Sequence, residues 1–478
     1  MSAIELQALM PYLIVTGVIL ALVLVASFWR SHTGMAVLFI AGFIVALSSV
    51  DSGGGSGMEV DALLMLDGHA AFFNALFLVL AIVTAVNGYL YLNVRGRDVS
   101  EFYILLATAT LGAMVLASAQ HFASLLLGLE ILSISLYTLI AYPEEGHPPL
   151  EAALKYLVLS GVGSTTALFG MALIYNATGS LQFMEISPAA VEEADWWYRM
   201  GAVFFLAGMA FKLSLVPFHM WTPDVYQGAP TVVTGFLATV SKAAVFAVLL
   251  RLVMQSGMLS DASLFQLLSV IAVVSMVVGN VLALLQDDLK RLLAYSSIAH
   301  IGYLIIALLA VAVLEDDRFA AEAALVFVAG YAVMTLAAFT VLGLLDVRGE
   351  GQCPIEIVDG LLWRSPVLGF VLAAALLSLA GIPLTAGFIA KFYLFAVGAD
   401  GALWNLVWAM ILGSAIGIYY YLKVVFALSR RELRQAMDHD EPNGGMIGAV
   451  TAIFLGITII ALGTYPTGLI DAVRSLVG

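Results

Sequence analysis

Five of the six lysines in this 478-residue chain sit inside long apolar runs: Lys155, Lys212, Lys242, Lys391 and Lys423. The thirteen arginines fall in polar connections or at their edges. That sorting has a chemical reading. An ammonium group is costly to bury in hydrocarbon. Lysine escapes the cost by losing its proton, which arginine does not do in a protein. Lysine within the membrane and arginine outside it suits proton exchange. Lys212, Lys242 and Lys391 lie too deep to reach water easily. Lys155 and Lys423 lie nearer the ends of their runs, where a long side chain can also snorkel to the interface.

Three other side chains extend the pattern. Glu130, in LLLGLEILSISLY, is the one acid near the middle of a run. A buried carboxylate needs a cation or a proton. Lys212 is its expected partner, the two titrating as a unit. His300, in LLAYSSIAHIGYLI, stands among Ser296, Ser297 and Tyr303, and an imidazole passes a proton between its two nitrogens. His219 lies beside Pro217, as a relay or as a loop hydrogen-bond partner. His32, His69, His121, His147 and His439 fall at run ends or in loops and are given no role.

The elements that must hold these groups follow from composition. The chain is 62% hydrophobic and 11% charged, against about 25% charged in soluble domains. This is an all-α polytopic membrane protein. Fourteen apolar runs, from Leu9–Phe28 to Met446–Ile470, approach or exceed the roughly 20 residues a spanning helix needs. Only Gln120 and His121 divide the fourth from the fifth. One cysteine, Cys353, excludes a disulfide framework and thiolate-bound clusters. The net charge of −14 speaks against nucleic acid. No basic leader precedes the first run.

Orientation follows the basic residues. With the N-terminus outside, the inner loops carry ten: Arg30, Arg95, Arg97, Lys290, Arg291, Arg348, Arg364, Arg430, Arg431 and Arg434. The outer side carries Arg199, Arg251, Arg318 and Arg474. Both termini are therefore expected outside.

Two runs carry helix breakers beside a lysine. Pro217 follows Lys212 by five residues, and Pro383 precedes Lys391 by eight. Each broken run is followed by one bearing another lysine, 30 and 32 residues on. The two units are offset by 179 and 181 residues. This predicts two inverted five-helix repeats with broken helices near Pro217 and Pro383. The expected divisions are three helices in 1–100, repeats in 101–256 and 262–430, and a last helix in 446–478. Transporters place ion sites at such breaks.

The stretch from Phe211 to Pro230, FKLSLVPFHMWTPDVYQGAP, followed by Ser241-Lys-Ala-Ala244, resembles the antiporter-like membrane subunits of respiratory complex I and of the multisubunit cation/proton antiporters. The resemblance covers essentially the whole chain. It implies that Glu130 and Lys212 form the family's Glu–Lys pair. Lys242 matches its central relay lysine and Lys391 its terminal lysine. His300 falls at the polar bridge between halves, and Lys155 matches a further membrane lysine. Lys423 has the least support. The implied protein is a proton-translocating subunit of an NADH:quinone oxidoreductase in a bacterial inner membrane, within a hetero-oligomer of membrane subunits and lipid. FMN, iron–sulfur clusters and quinone are expected in partner subunits and no cofactor in this chain. GVGSTTALFG (161–170) has misplaced glycines and a membrane-helix setting, so it is not read as a dinucleotide site. GGGSG (53–57) reads as a flexible outer loop. A free-standing cation/proton antiporter subunit and a purely structural membrane subunit are the alternatives.

Overall fold

The computed structural model describes residues 3–50, 58–93, 100–142, 147–188, 196–314, 317–346, 353–430 and 445–477. The Gly53–Gly57 loop, Arg95, Arg97, Arg348, Arg431, Arg434 and His439 lie outside them.

The first segment runs α1 (Ala3–Ala8), α2 (Met10–Phe28), α3 (His32–Ser48) and α4 (Gly68–Asn93). Next come α5 (Ser100–Ser118), α6 (Phe122–Ala141), α7 (His147–Thr178), α8 (Trp196–Leu213) and α9 (Trp221–Gly228). A continuous rod follows, made of α10 (Thr231–Phe236), a π-turn (Leu237–Ser241) and α11 (Lys242–Ser256). Then come α12 (Ala262–Leu284), α13 (Leu289–Ala310), α14 (Asp317–Leu345), α15 (Leu361–Arg364), α16 (Pro366–Ala380), α17 (Ala386–Asp400) and α18 (Trp404–Ser429). The chain closes with α19 (Gly445–Thr464) and α20 (Thr467–Val477).

Among the described residues, eleven stretches of helix are long and apolar enough to cross a membrane. The shorter α3 and two crossings built of half-helices, α8 with α9 and α16 with α17, complete fourteen. The division between the fourth and fifth crossings holds. His121 ends the break by accepting from the Ala123 amide at 3.0 Å, which caps α6.

The two repeats are visible in how the helices pair. α5 packs along α6 as α12 packs along α13, and α7 lies on α8 and α9 as α14 lies on α16 and α17. Backbones come close at glycine in both units. A Cβ on Gly112 would lie 2.6 Å from the Leu132 amide nitrogen, and one on Gly279 would lie 2.7 Å from that of Ala299. Five crossings per unit is an odd number, so the second unit starts from the opposite face.

Burial is graded across the bundle. The α10–α11 rod is wholly enclosed by protein, and α13 and α14 nearly so, while α2 and α19 present most of their surface outward. Outward apolar side chains such as Leu24, Val162 and Ile457 form the lipid-facing rim expected of a membrane protein.

Three placements differ from the sequence reading. A short hairpin, β1 (Met58–Val60) with β2 (Leu64–Leu66), lies over the α5–α6 break, where Gln120 donates to Glu59 at 2.9 Å. Too short for an alternating pattern, it left no signal in hydropathy. Lys290, read as a loop residue, is buried in the first turn of α13 and donates to the Ala229 carbonyl at 2.7 Å. Arg251, read as lying past the end of its run on the outer side, lies inside α11 with 3% of its side chain accessible. Its two terminal nitrogens bind the two carboxylate oxygens of Asp67, each at 2.7 Å, and it also donates to the Ala117 carbonyl. Burial opposes ionisation of Asp67, but the guanidinium outweighs it and holds the carboxyl below its usual range. This fork ties the first repeat to α4.

Asp67→Ala should destabilise the subunit by about 3–5 kcal/mol, because it strands a buried guanidinium. Thermal unfolding in detergent tests this, and Asp67→Ala with Arg251→Met should recover most of the loss. A wild-type midpoint in the single variant would contradict it.

Candidate functional site

The first break sets Lys212 at the last turn of α8. Ser214 follows in a left-handed conformation (φ 64°), the Val216–Pro217 peptide is cis, and the chain restarts at Trp221. Side chains take over groups the helix no longer serves. Trp221 Nε1 donates to the Phe211 carbonyl at 3.1 Å, and the Val216 amide donates to Ser275 Oγ at 2.9 Å. Lys212 itself is buried and donates to Ser133 Oγ at 2.8 Å and Ser160 Oγ at 2.5 Å. Tyr137 also donates to Ser160, at 2.8 Å.

The expected Glu130–Lys212 ion pair is not made. Glu130 lies one helical turn before Ser133 on α6, and its Oε1 is buried without a hydrogen-bond partner. The serine hydroxyls hold the ammonium instead. The arrangement is an open pair.

Lys242 occupies the centre. The π-turn delivers it to the enclosed rod, where it is 1% exposed. Its Nζ donates to Ser297 Oγ at 2.7 Å and lies 5.5 Å above the Tyr226 ring. Ser297 in turn meets the Tyr331 hydroxyl at 2.6 Å, and Tyr331 donates to the Ala238 carbonyl at 3.2 Å. The polarity is therefore consistent along the chain. Lysine donates to serine, serine to tyrosine, and tyrosine to the backbone.

One turn along α13, His300 bridges to the second break. Nδ1 faces the Ser296 carbonyl at 2.8 Å and Nε2 faces the Leu379 carbonyl at 3.2 Å. A neutral imidazole can donate to only one of these, and an imidazolium donates to both. Moving a proton through the ring therefore exchanges one carbonyl for the other. The Leu379 carbonyl is free because α16 stops at Ala380 and Gly381 turns left-handed (φ 86°). Lys391, half-buried in α17, donates to that same Leu379 oxygen at 2.9 Å and to Ala380 O at 3.1 Å. Its ammonium lies 5.5 Å over the Tyr303 ring. His300 and Lys391 thus share one backbone acceptor. At this break side chains take up part of the backbone that the helix leaves free.

None of Lys212, Lys242 or Lys391 forms an ion pair among the described residues. Lys155 and Lys423 do. Lys155 is 41% exposed and pairs with Glu151 at 2.7 Å and Asp224 at 2.9 Å. Lys423 pairs with Asp287 at 3.0 Å. Both sit at the face opposite the N-terminus, apart from the interior row. His219 lies in the first break, with Nδ1 buried and without a hydrogen-bond partner.

Sequence reasoning missed several polar neighbours. Ser133 and Ser160 hold Lys212, and Tyr331 extends the Lys242 chain. Asn280 donates to Tyr303 at 2.7 Å and accepts from Tyr420 at 3.1 Å, while Ser296 meets the Tyr421 hydroxyl. Hydroxyls and amides inside apolar runs were the available signal. Among the described residues, no group of three or more His, Cys, Asp or Glu converges as metal ligands.

A family model described as "NADH:quinone oxidoreductase/Mrp antiporter, TM" matches residues 119–417. The chain is 42% identical over 478 residues to the NADH-quinone oxidoreductase subunit N of Methylococcus capsulatus, covering 100% of this chain and 96% of that one. It superposes with TM-score 0.83 and 34% identity on a chain of "Respiratory complex I from Thermus thermophilus with bound Aureothin", covering 98% and 100% of the two. A chain of the Mrp complex from Dietzia sp. shares the fold, with TM-score 0.85 at 19% identity over 99% and 97%.

The second break depends on close backbone contact. A Cβ on Gly387 would lie 1.8 Å from the Ser378 carbonyl oxygen. Gly387→Ala should therefore cost about 1–3 kcal/mol through overpacking. Thermal unfolding reads this directly, and an unchanged midpoint would show that α16 and α17 are not held so closely.

Proposed function

The chain belongs to the NADH:quinone oxidoreductase/Mrp antiporter family of membrane subunits, among the NADH-quinone oxidoreductase N subunits, and from that premise we propose that its interior row of side chains is the proton path. It is an antiporter-like, proton-translocating membrane subunit that works inside a hetero-oligomer. The redox groups, FMN, iron–sulfur clusters and quinone, belong in this reading to partner subunits. Both termini face the outside of a bacterial inner membrane, and lipid covers the apolar rim. The division into 1–100, 101–256, 262–430 and 446–478 separates three leading helices, two repeats and a closing helix.

One observation carries the reading. Lys212, Lys242 and Lys391 stand in the interior with hydroxyl, carbonyl and ring partners and no ion pair. A fixed carboxylate partner would hold each ammonium charged. Neutral partners solvate the ammonium yet let the proton go.

The path then runs as follows. A change in a neighbouring subunit alters the distance between Glu130 and Lys212 and so alters how tightly Lys212 holds its proton. The proton passes towards Lys242, along Ser297 and α13 to His300, and across the shared Leu379 carbonyl region to Lys391. Lys391 releases it outward. Moving one charge against 100 mV takes about 2.3 kcal/mol, within what closing or opening one buried ion pair supplies. Lys155 and Lys423, held by acids at the inner face, anchor helices or gather protons. His219 is an auxiliary group at the first break.

The test uses membranes in which the assembled complex is confirmed. Lys212→Met, Lys242→Met and Lys391→Met should each lower proton pumping and NADH:quinone turnover together, by about tenfold or more. Lys423→Met should stay within about twofold, as expected for an exposed pair. Normal pumping in all three interior variants would make the lysines structural. Salt-dependent exchange without NADH-linked activity would favour the antiporter alternative.

A further inference from the structure

We propose that Glu322 is the last proton-binding stop between Lys391 and the outer side, and that Arg474 on the C-terminal helix is its latch. The inference rests on the relay and orientation given above and names the outward end of the path.

Placement comes first. The acids counted among the buried residues in the described part of the chain are Glu322, Asp346 and Asp359. Asp346 follows the end of α14 and Asp359 precedes α15, so both belong to the opposite face. Glu322 lies in the second turn of α14, at the end nearer the face that bears the N-terminus. Gly330 of α14 touches Ala390, where an added Cβ would lie 3.3 Å away, so this level of α14 matches Lys391 on α17. Eight residues separate Gly330 from Glu322. At 1.5 Å of rise per residue, Glu322 stands about 12 Å nearer the outer face. The Tyr393 phenol lies beside it, and the Tyr393 ring is 6.4 Å from that of Phe319. A titratable carboxylate thus stands outward of the terminal lysine with a hydroxyl group close by.

The asymmetry of its ion pair comes second. Arg474 Nε contacts both Glu322 oxygens at 3.1 Å. The glutamate side chain is 10% exposed and the arginine 60%. Arginine stays charged throughout, and it can swing into water without being dehydrated. Glu322 has no such freedom. When Arg474 is turned away, a buried carboxylate without a cation takes up a proton. When Arg474 returns, the carboxylate is favoured and the proton leaves. The balance is simple. An N–H bond of the Lys391 ammonium breaks, an O–H bond forms at Glu322 with water and the Tyr393 hydroxyl as carriers, and that O–H bond then breaks to outer water.

The third point is the mount. α20 is amphipathic. Ile470 and Val473 are buried beneath it, and Leu476 O reaches so close to Gly68 that an added Cβ there would lie 2.0 Å away. The helix is therefore pinned against α4 and α14, and the Arg474 side chain reaches from it to Glu322 with most of its surface in the open. Asp471, three residues earlier on the same helix, adds a second carboxylate in the neighbourhood of the arginine.

Three variants of the assembled complex in inverted membrane vesicles test this: Glu322→Gln, Arg474→Gln and the double variant. Glu322→Gln should cut NADH-driven pumping about fivefold or more. Arg474→Gln should raise the passive decay of a preformed pH gradient about threefold. The double variant strands no charge, so it folds if the pair is merely structural. It should still pump as poorly as Glu322→Gln. A double variant that pumps at the wild-type rate, or an unchanged leak in Arg474→Gln, overturns the latch. Lys391→Met is run alongside. Its normal pumping would bring down the relay itself, whereas its failure beside a normal double variant would bring down only the latch.

Discussion

Everything in this molecule answers to one constraint: positive charge must stand inside hydrocarbon without a permanent counter-charge. Three ammonium groups are held by serine hydroxyls, aromatic faces and main-chain carbonyls. Each of these is a dipole or a ring and carries no net charge. Such partners lower the cost of a cation without fixing it. The bundle is arranged to supply them. Helices that would use up their own carbonyls are broken beside two of the lysines, and a π-turn delivers the third.

The Arg251–Asp67 fork shows the opposite solution in the same protein. There the counter-charge is permanent and bidentate, and the cation is one that keeps its proton. Buried arginine is used to join α11 to α4, and the interior lysines are given neutral partners instead. The same distinction separates the interior lysines from Lys155 and Lys423, whose acids neutralise them at a face.

Much of this was legible in the sequence because membrane crossings and buried charges are local signals. The apolar runs, the prolines at 217 and 383, and the lysines beside them each announce themselves within about twenty residues. What was not legible depends on distant partners. Arg251 and Lys290 look like loop residues until Asp67 and the Ala229 carbonyl are brought to them. Glu322 was left just outside its run because its partner is 152 residues away. Glu130 and Lys212 were legible as a pair, but not the hydroxyls of Ser133 and Ser160 that hold the ammonium between distant helices. Hydropathy has no means of ranking a hydroxyl against a carboxylate.

The acceptor shared by His300 and Lys391 has an evolutionary side. It is the main-chain oxygen of residue 379, so no codon change at that position deletes it. The leucine side chain packs in the core, and the acceptor belongs to the backbone behind it. What inheritance must preserve is a shape: the left-handed turn at Gly381 and the narrow gap at Gly387. A site of this kind depends on its glycines, and a side chain added at either would disturb it without touching a polar group.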